Sequence, residues 1–257
     1  MIHPTAIVDP SAVIGEDVEI GPYVIIEEDT IIGDGCRIFS HAVIKNHTIM
    51  GSGNTVHEHA VLGGDPQDLS YDGSSTGLVI GNDNVFRECV TVHRSTKQDQ
   101  PTCIGNSNFF MAYSHIAHDC QLEDRIIFAN CATLAGHISV GTGAFVSGST
   151  AVHQFCQIGA YSILSGVTPV SLDAPPFMIV AGNPAGTVGL NVIGMRRAGF
   201  SRDSISKIKQ AYKILMLSGK SQDEAMDEMA NIDSEHVSML IDFIKNSKRG
   251  ITRHRKK

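Results

Sequence analysis

The chain has 257 residues, of which 42% are hydrophobic and 18% charged, with a formal net charge of −7. That is the composition of a soluble globular protein, long enough for one large domain or for one domain and a smaller one. The acidic balance argues against nucleic acid or an anionic membrane as partner, no apolar run approaches the roughly 20 residues of a membrane helix, and the opening "MIHPTAIVDP" lacks the charged and apolar regions of a signal peptide. From Ile2 onward an apolar residue returns at every sixth position, through Val8, Ile14, Ile20, Ile26, Ile32, Ile38, Ile44, Met50, Val56 and Leu62. The ladder resumes at Ile80, Phe86 and Val92, and again from Ile104 to Val170. Of the 29 positions on this grid 26 are apolar, and the exceptions are Asp68, Ser74 and Gln98. Four residues after each grid position the side chain is mostly small, as at Ala6, Ala12, Cys36, Ala42, Ala60, Cys120, Ala132 and Cys156.

A period of six matches neither the helix repeat of 3.6 nor the strand repeat of 2. It fits short strands joined by tight turns, one large and one small residue of each unit pointing inward, which is the hexapeptide parallel β-helix. Three units make one triangular coil of 18 residues, and coils stack at about 4.8 Å. Two Gly-, Pro-, Ser- and Asp-rich stretches, "GGDPQDLSYDGSSTG" and "RSTKQDQPT", interrupt the ladder and predict loops over 63–79 and 94–103 that project from the prism. The β-helical domain is expected to occupy 1–186. Beyond Pro175-Pro176 the pattern becomes helical, with segments 201–219, 221–232 and 234–250 that open on Ser201, Ser221 and Ser234, so a small helical domain is expected over 187–257. The basic run Lys245, Lys248, Arg249, Arg253, Arg255, Lys256 and Lys257 reads as a solvated tail. The six cysteines are scattered with no CxxC pair, as expected of reduced thiols in the cytoplasm rather than a disulfide framework or a zinc knuckle.

The stretch "SHIAHDC" (114–120) holds two histidines three apart. On a helix they could chelate a metal from one face. On this grid Ile116 and Cys120 point inward, so His118 points outward and His115 belongs to the preceding unit. Residues 18 apart stack, which sets Gly136 and then Gln154 above His118, with His137 and His153 beside them. The strip combines a titratable base, a carboxylate in Asp119 that can orient it, and an unhindered backbone N–H at Gly136. Those are the parts of an acyl-transfer site, with no metal and no cofactor expected. Two rivals use the same prism: a zinc carbonic anhydrase with histidines at subunit contacts, and a catalytically silent structural protein.

The motifs "HIAHDC", "ATLAGHISVG", "TAVHQFCQIGAYS", "DAPPFMIVAGNPA" and "GMRRAGFSRDSISKIKQAYKIL" resemble those of the UDP-N-acetylglucosamine O-acyltransferases of lipid A biosynthesis, with matching loops "PQDLSY" and "VTVHRST". The likeness runs from Ile2 to about Gly250. It implies a left-handed coil, a cytoplasmic homotrimer, and transfer of a 3-hydroxyacyl chain from acyl carrier protein to the 3-position of the sugar. By motif, His118 would be the general base, Asp119 its support and Gly136 the oxyanion donor. His115, His137, His153 and Gln154 would line the donor and acceptor cleft between subunits, and Asp68 and His93 would contact the nucleotide sugar. Asn191 and Arg197 would reach the uridine diphosphate, and Gly166 would line the acyl groove. The C-terminal helices would suit an acidic carrier protein, which favours carrier-bound acyl groups over acyl-CoA. Three positions depart from the family pattern: Ser70 stands where a lysine is usual, Ile193 where an acidic residue is usual, and Ala198 where a second arginine is usual. All three lie on the acceptor side, which opens the alternative that the acceptor is the 3-amino analogue of UDP-N-acetylglucosamine and the reaction N-acylation.

Overall fold

In the computed structural model, which describes residues 1–255, nearly every hexapeptide contributes one short strand, the first being Ile7–Val8, followed by a turn. The strands form three faces. One has nine strands from Ile7–Val8 to Pro169–Val170, one has eight from Val13–Ile14 to Gln157–Ile158, and the third has ten, starting at Glu19–Ile20. All pairs are parallel except the last, in which Gly186–Leu190 turns back against Met178–Ala181. This is the left-handed parallel β-helix expected from the ladder and its resemblance.

Neighbouring strands are 18 residues apart, as for Ile7 opposite Ile25 and His115 opposite Thr133. Across the first loop the offset becomes 30, with Val61 opposite Thr91; across the second it is 24, with Thr91 opposite His115. The insertions are therefore 12 and 6 residues long, each a whole number of hexapeptides. The grid keeps its phase through both, and Asp68, Ser74 and Gln98 are the three rungs that became loop. The strands flanking the loops extend to Gly64, from Leu78, to His93 and from Thr102.

From Ile20 to Val170 every apolar grid residue is at most 4% exposed, and along the axis Phe86 stacks on Phe110 at 5.2 Å while Phe110 meets Phe128 edge-to-face at 5.3 Å. Burying such side chains is the main force holding the coils together. The small inward positions also hold a polar ladder that hydropathy does not reveal. Asn84 donates through its amide and Nδ2 to Asn54 Oδ1, the Asn108 amide donates to Asn84 Oδ1, and the Ile126 amide donates to Asn108 Oδ1. Each asparagine carbonyl thus ties its coil to the next, although the ladder ends on Asn108, whose buried Nδ2 meets no partner among the described residues. At the corners one residue per turn takes the left-handed conformation, which Asp and His tolerate better than most. Asp119 (φ 60°), His137 (φ 61°) and Phe155 (φ 65°) form one such column.

Four helices follow: α1 Val192–Arg197, α2 Arg202–Leu217, α3 Gln222–Met229 and α4 Glu235–Asn246. Ser201 caps α2 by accepting from the Ser204 amide, and Ser221 with Glu224 forms a full capping box on α3. Ser234 makes no such bond, and α1 was not anticipated. Ala211, Ile214, Met229, Leu240 and Ile244 bury the inner faces of α2–α4 together. The basic run is not simply a solvated tail. Arg249 Nε donates to the Ser171 carbonyl, while Arg255 donates from Nη1 to the Pro184 carbonyl and from its amide to Thr187. The last coil leaves backbone groups that no further coil covers, and this segment satisfies several of them. Lys256 and Lys257 lie outside the described residues.

Candidate active site

His118 follows the strand His115–Ile116 on the nine-stranded face. It points away from the prism, as the grid requires, yet it is only 7% exposed. The first loop brings Asp68 across it, with Oδ2 3.9 Å from His118 Nε2. That distance is too long for a hydrogen bond, so both atoms border the same opening. On the other side of the ring, Nδ1 is 2.7 Å from Asp119 Oδ2. A carboxylate there favours the tautomer with the proton on Nδ1 and leaves Nε2 as the basic nitrogen.

Asp119 is held in turn by the second loop. The Thr96 amide donates to Oδ1 at 3.1 Å, the Thr96 hydroxyl to Oδ2 at 2.8 Å, and the Asp119 amide donates to Thr102 Oγ1 at 2.8 Å. Partial burial works to raise the Asp119 pKa, but the hydrogen bonds from His118 and Thr96 outweigh it and hold the carboxyl below the usual range. His137, one coil on, lies edge-to-face with His118 at 5.2 Å, with Nε2 3.5 Å from the same Asp119 oxygen, and stacks flat on Phe155 at 4.8 Å.

Gly136 is a close-approach glycine. A Cβ there would lie 2.5 Å from His118 Cε1 and 2.8 Å from Nε2, so no other residue leaves room for the imidazole. Its amide donates to no acceptor among the described residues, and it lies one rung above the base.

The remaining histidines of the strip divide. His115 bonds through Nδ1 to Thr91 Oγ1 at 2.7 Å and meets the edge of His93 at 4.8 Å. Burial, with help from His115 and His118, pushes the His93 pKa down to about 4, and burial lowers His115 as well. His93 is therefore neutral at ordinary pH, with a buried Nδ1 that meets no partner among the described residues. His153 and Gln154 sit exposed above this group, His153 Nδ1 facing only the Gln154 carbonyl at 3.0 Å. The Ser70 hydroxyl and amide both donate to Asp68 Oδ1, at 2.7 and 2.8 Å, and they lower its pKa.

Three of the expected site residues lie elsewhere in the chain. Gly166 is in the turn before Pro169–Val170, at the opposite edge of the nine-stranded face from the His118 column. Asn191 caps α1: its Oδ1 accepts from the Gly194 amide and its Nδ2 donates to the Tyr161 carbonyl, both at 2.8 Å. Arg197 is exposed in the last turn of α1. Two residues that sequence reasoning missed support the loops. Thr96 has just been described. Arg94, 8% exposed, binds Asp65, Asn46 and the Tyr71 hydroxyl, and so braces the loop that carries Asp68. Their signals were position inside a stretch that broke the ladder and membership of the matched "VTVHRST" loop, neither of which says what they contact.

Among the described residues, His118, Asp119 and His137 also present ligand-type atoms within 4.8 Å of one another. The Asp119 oxygens already accept from Thr96 and His118, an arrangement that suits a proton-sharing pair rather than a vacant ligand set.

Comparison with known proteins gives a consistent set of likenesses. Residues 173–252 match the family model described as UDP-N-acetylglucosamine O-acyltransferase, domain 2. Over 256 residues the chain is 52% identical to the acyl-(acyl-carrier-protein)–UDP-N-acetylglucosamine O-acyltransferase of Thiobacillus denitrificans, covering 98% of this chain and 99% of that one. A protein of the same name from Pseudomonas fluorescens is 50% identical with the same coverage. Among solved structures, a UDP-N-acetylglucosamine acyltransferase from Bacteroides fragilis superposes with a TM-score of 0.96 at 39% identity, covering 98% of this chain and all of that one. The Acinetobacter baumannii counterpart gives 0.95 at 42% identity, with 98% and 99% covered.

Proposed function

The chain belongs to the acyl-(acyl-carrier-protein)–UDP-N-acetylglucosamine O-acyltransferases, and from that premise we propose how its residues carry out the transfer. The enzyme moves a 3-hydroxyacyl chain from acyl carrier protein to the 3-hydroxyl of UDP-N-acetylglucosamine, the first step of lipid A biosynthesis. His118 Nε2 takes the proton of that hydroxyl while Asp119 steadies the imidazolium that forms. The freed oxygen attacks the thioester carbonyl, and the Gly136 amide accommodates the oxyanion. Collapse breaks the carbon–sulfur bond, leaves the new ester, and returns the proton from His118 to the departing thiolate.

Asp68, His93, His115 and His137 line the acceptor side of this base. His153, Gln154 and Gly166 border the acyl path, and Asn191 and Arg197 bind the uridine diphosphate, Arg197 as a phosphate partner. Gly166, Asn191 and Arg197 are remote from His118 within one chain, so in this reading a second copy supplies them, as in the homotrimer that the family resemblance implies. Arg196, Arg202 and Lys209 line a groove between α1 and α2 with the charge an acidic carrier protein needs, and the relatives' carrier-protein donor makes acyl carrier protein the donor here. No helix among the described residues is long and apolar enough to cross a membrane. Use of acyl carrier protein as donor puts the reaction in the cytoplasm in this reading.

The observation that carries this reading is the imidazole held by Asp119 beneath two loops, with a free amide one rung above it. A second reading rests on Ser70: the usual cation is absent there, and the serine hydroxyl is committed to Asp68. Loss of a charge near the acceptor would ease binding of a protonated 3-amino sugar. Mass spectrometry of products from 3-hydroxyacyl carrier protein with UDP-N-acetylglucosamine and its 3-amino analogue in competition decides between them. Ester product is expected; strong preference for amide product would make this an N-acyltransferase, and in a parallel assay with 3-hydroxyacyl-CoA, transfer from that donor alone would remove the carrier.

A further inference from the structure

The second insertion is built around one carboxylate. It leaves the nine-stranded face after His93 and rejoins the prism at Thr102, and both of its ends hold Asp119. Thr96 contributes two donors, its amide to Oδ1 at 3.1 Å and its hydroxyl to Oδ2 at 2.8 Å, and Thr102 Oγ1 accepts from the Asp119 amide. Asp119 occupies a left-handed turn position, φ 60°, from which the backbone alone does not determine the direction of the carboxylate. The oxygen that accepts from the Thr96 hydroxyl is also the one that lies 2.7 Å from His118 Nδ1 and 3.5 Å from His137 Nε2.

We propose that Thr96 is a positioning residue for the transfer: by occupying both oxygens of Asp119 it fixes the carboxylate toward His118 Nδ1 and sets how strongly His118 holds a proton. This inference deepens the reading of His118 as the general base and rests on it. The hydroxyl hydrogen bond spreads the negative charge of Oδ2, so the carboxylate stabilises the imidazolium less than a bare one would. A base tuned in this way releases its proton more readily to the leaving thiolate. The titratable groups that face His118 are Asp119 on its own turn, Asp68 from the first loop, His137 from the next coil, and His115 and His93 from its own face. Only Asp119 touches Nδ1, so a change at Thr96 reaches the base through that contact.

The test compares Thr96→Val, which keeps the backbone donor and the shape, with Thr96→Ser, which keeps the hydroxyl. Thr96→Val is expected to lower kcat by about tenfold, a fraction of what a general base contributes, with KM for UDP-N-acetylglucosamine within about twofold. The acidic limb of its kcat–pH profile should move upward, because the barer carboxylate holds the His118 proton more tightly. Thr96→Ser should return both towards the native enzyme. The His118 titration followed by NMR on histidine-labelled protein needs no substrate, and its midpoint should rise in Thr96→Val even if the transferase reading were to fail. An unmoved or lowered midpoint and limb, a loss confined to melting temperature, or equal impairment by serine and valine would overturn the proposal.

Discussion

Two corners of the prism bring pairs of histidines together on successive coils, and they differ in almost everything else. At one, His41 (φ 63°) and His59 (φ 61°) lie parallel, 5.1 Å apart, with Tyr23 stacked below; both histidines are exposed. At the other, His118 and His137 meet edge-to-face at 5.2 Å, share the Asp119 carboxylate, and lie beneath two insertions. Stacked coils bring the rings to 5.1 and 5.2 Å at the two corners, although His41 and His59 hold equivalent left-handed positions while His118 stands one residue before the left-handed Asp119. A histidine on a corner is therefore no functional signal by itself; chemistry arises where a loop returns to cover it, orient it and exclude water from it. The glycine column at Gly33, Gly51, Gly81 and Gly105 makes the same point from the third corner. There the neighbouring Asn82, Asn106 and Asp124 side chains accept from backbone amides of the coil before, so their polar groups are spent on holding the stack.

The sharpest way to break this contrast is to truncate one histidine at each corner. His118→Ala should cost turnover about 10²–10⁴-fold, while His41→Ala should leave kcat/KM unchanged within experimental error in the same assay. Equal effects would mean that the covered corner is not special. Gly136→Ala comes next. Its Cβ would stand 2.5 Å from the His118 ring, and displacing a base by even 1 Å costs up to about 10²-fold. A crystal structure of the variant should find the imidazole moved, with turnover lowered to match.

The covered corner also has a pH signature. His93 titrates near 4 in the folded chain, against about 6.5 when unfolded. The unfolded chain therefore takes up a proton that the native one refuses. The stability this confers is fully present above pH 6.5 and is lost progressively as the pH falls to 4. Urea unfolding at pH 7 and pH 5 should reveal a drop of about 1–2 kcal/mol that His93→Gln reduces. The smallest expected effect concerns Asn191, whose side chain caps α1. Asn191→Ala should lower stability by about 1 kcal/mol, read as a modest fall in melting temperature. The proposed uridine diphosphate contact of Asn191 at a second copy's site should add a rise in KM for the nucleotide sugar.

The coil was legible because a repeat of six leaves its period in every rung, and stacking by 18 then puts Gly136 and Gln154 over His118 without any structure. The helix starts at Ser201 and Ser221 were legible through their caps, since capping is local chemistry. What the loops do was not. Thr96 is 23 residues from Asp119, and Arg94 is 48 from Asn46, and no periodicity connects either pair. The asparagine ladder escaped for a different reason: Asn54, Asn84 and Asn108 occupy small inward positions, and a reading by size and hydropathy does not ask whether such a residue can satisfy its amide. Stacking arithmetic also ends at the chain. It ordered the columns of one prism but could not say that Asn191 would be occupied with Tyr161 and Gly194, or that Gly166 would stand across the face from His118. The basic run misled because Arg249 and Arg255 were read for charge, whereas their position at the end of the last coil decides what they do.

The central claim is that Asp119 holds the His118 proton on Nδ1 and leaves Nε2 to act as the base. Nitrogen NMR of histidine-labelled enzyme, with His118 assigned by its absence in His118→Ala, reads that directly. In neutral His118 the account predicts a protonated Nδ1 and a bare Nε2, with the preference weakened in Asp119→Asn. A neutral His118 protonated on Nε2, in the native enzyme, would contradict it.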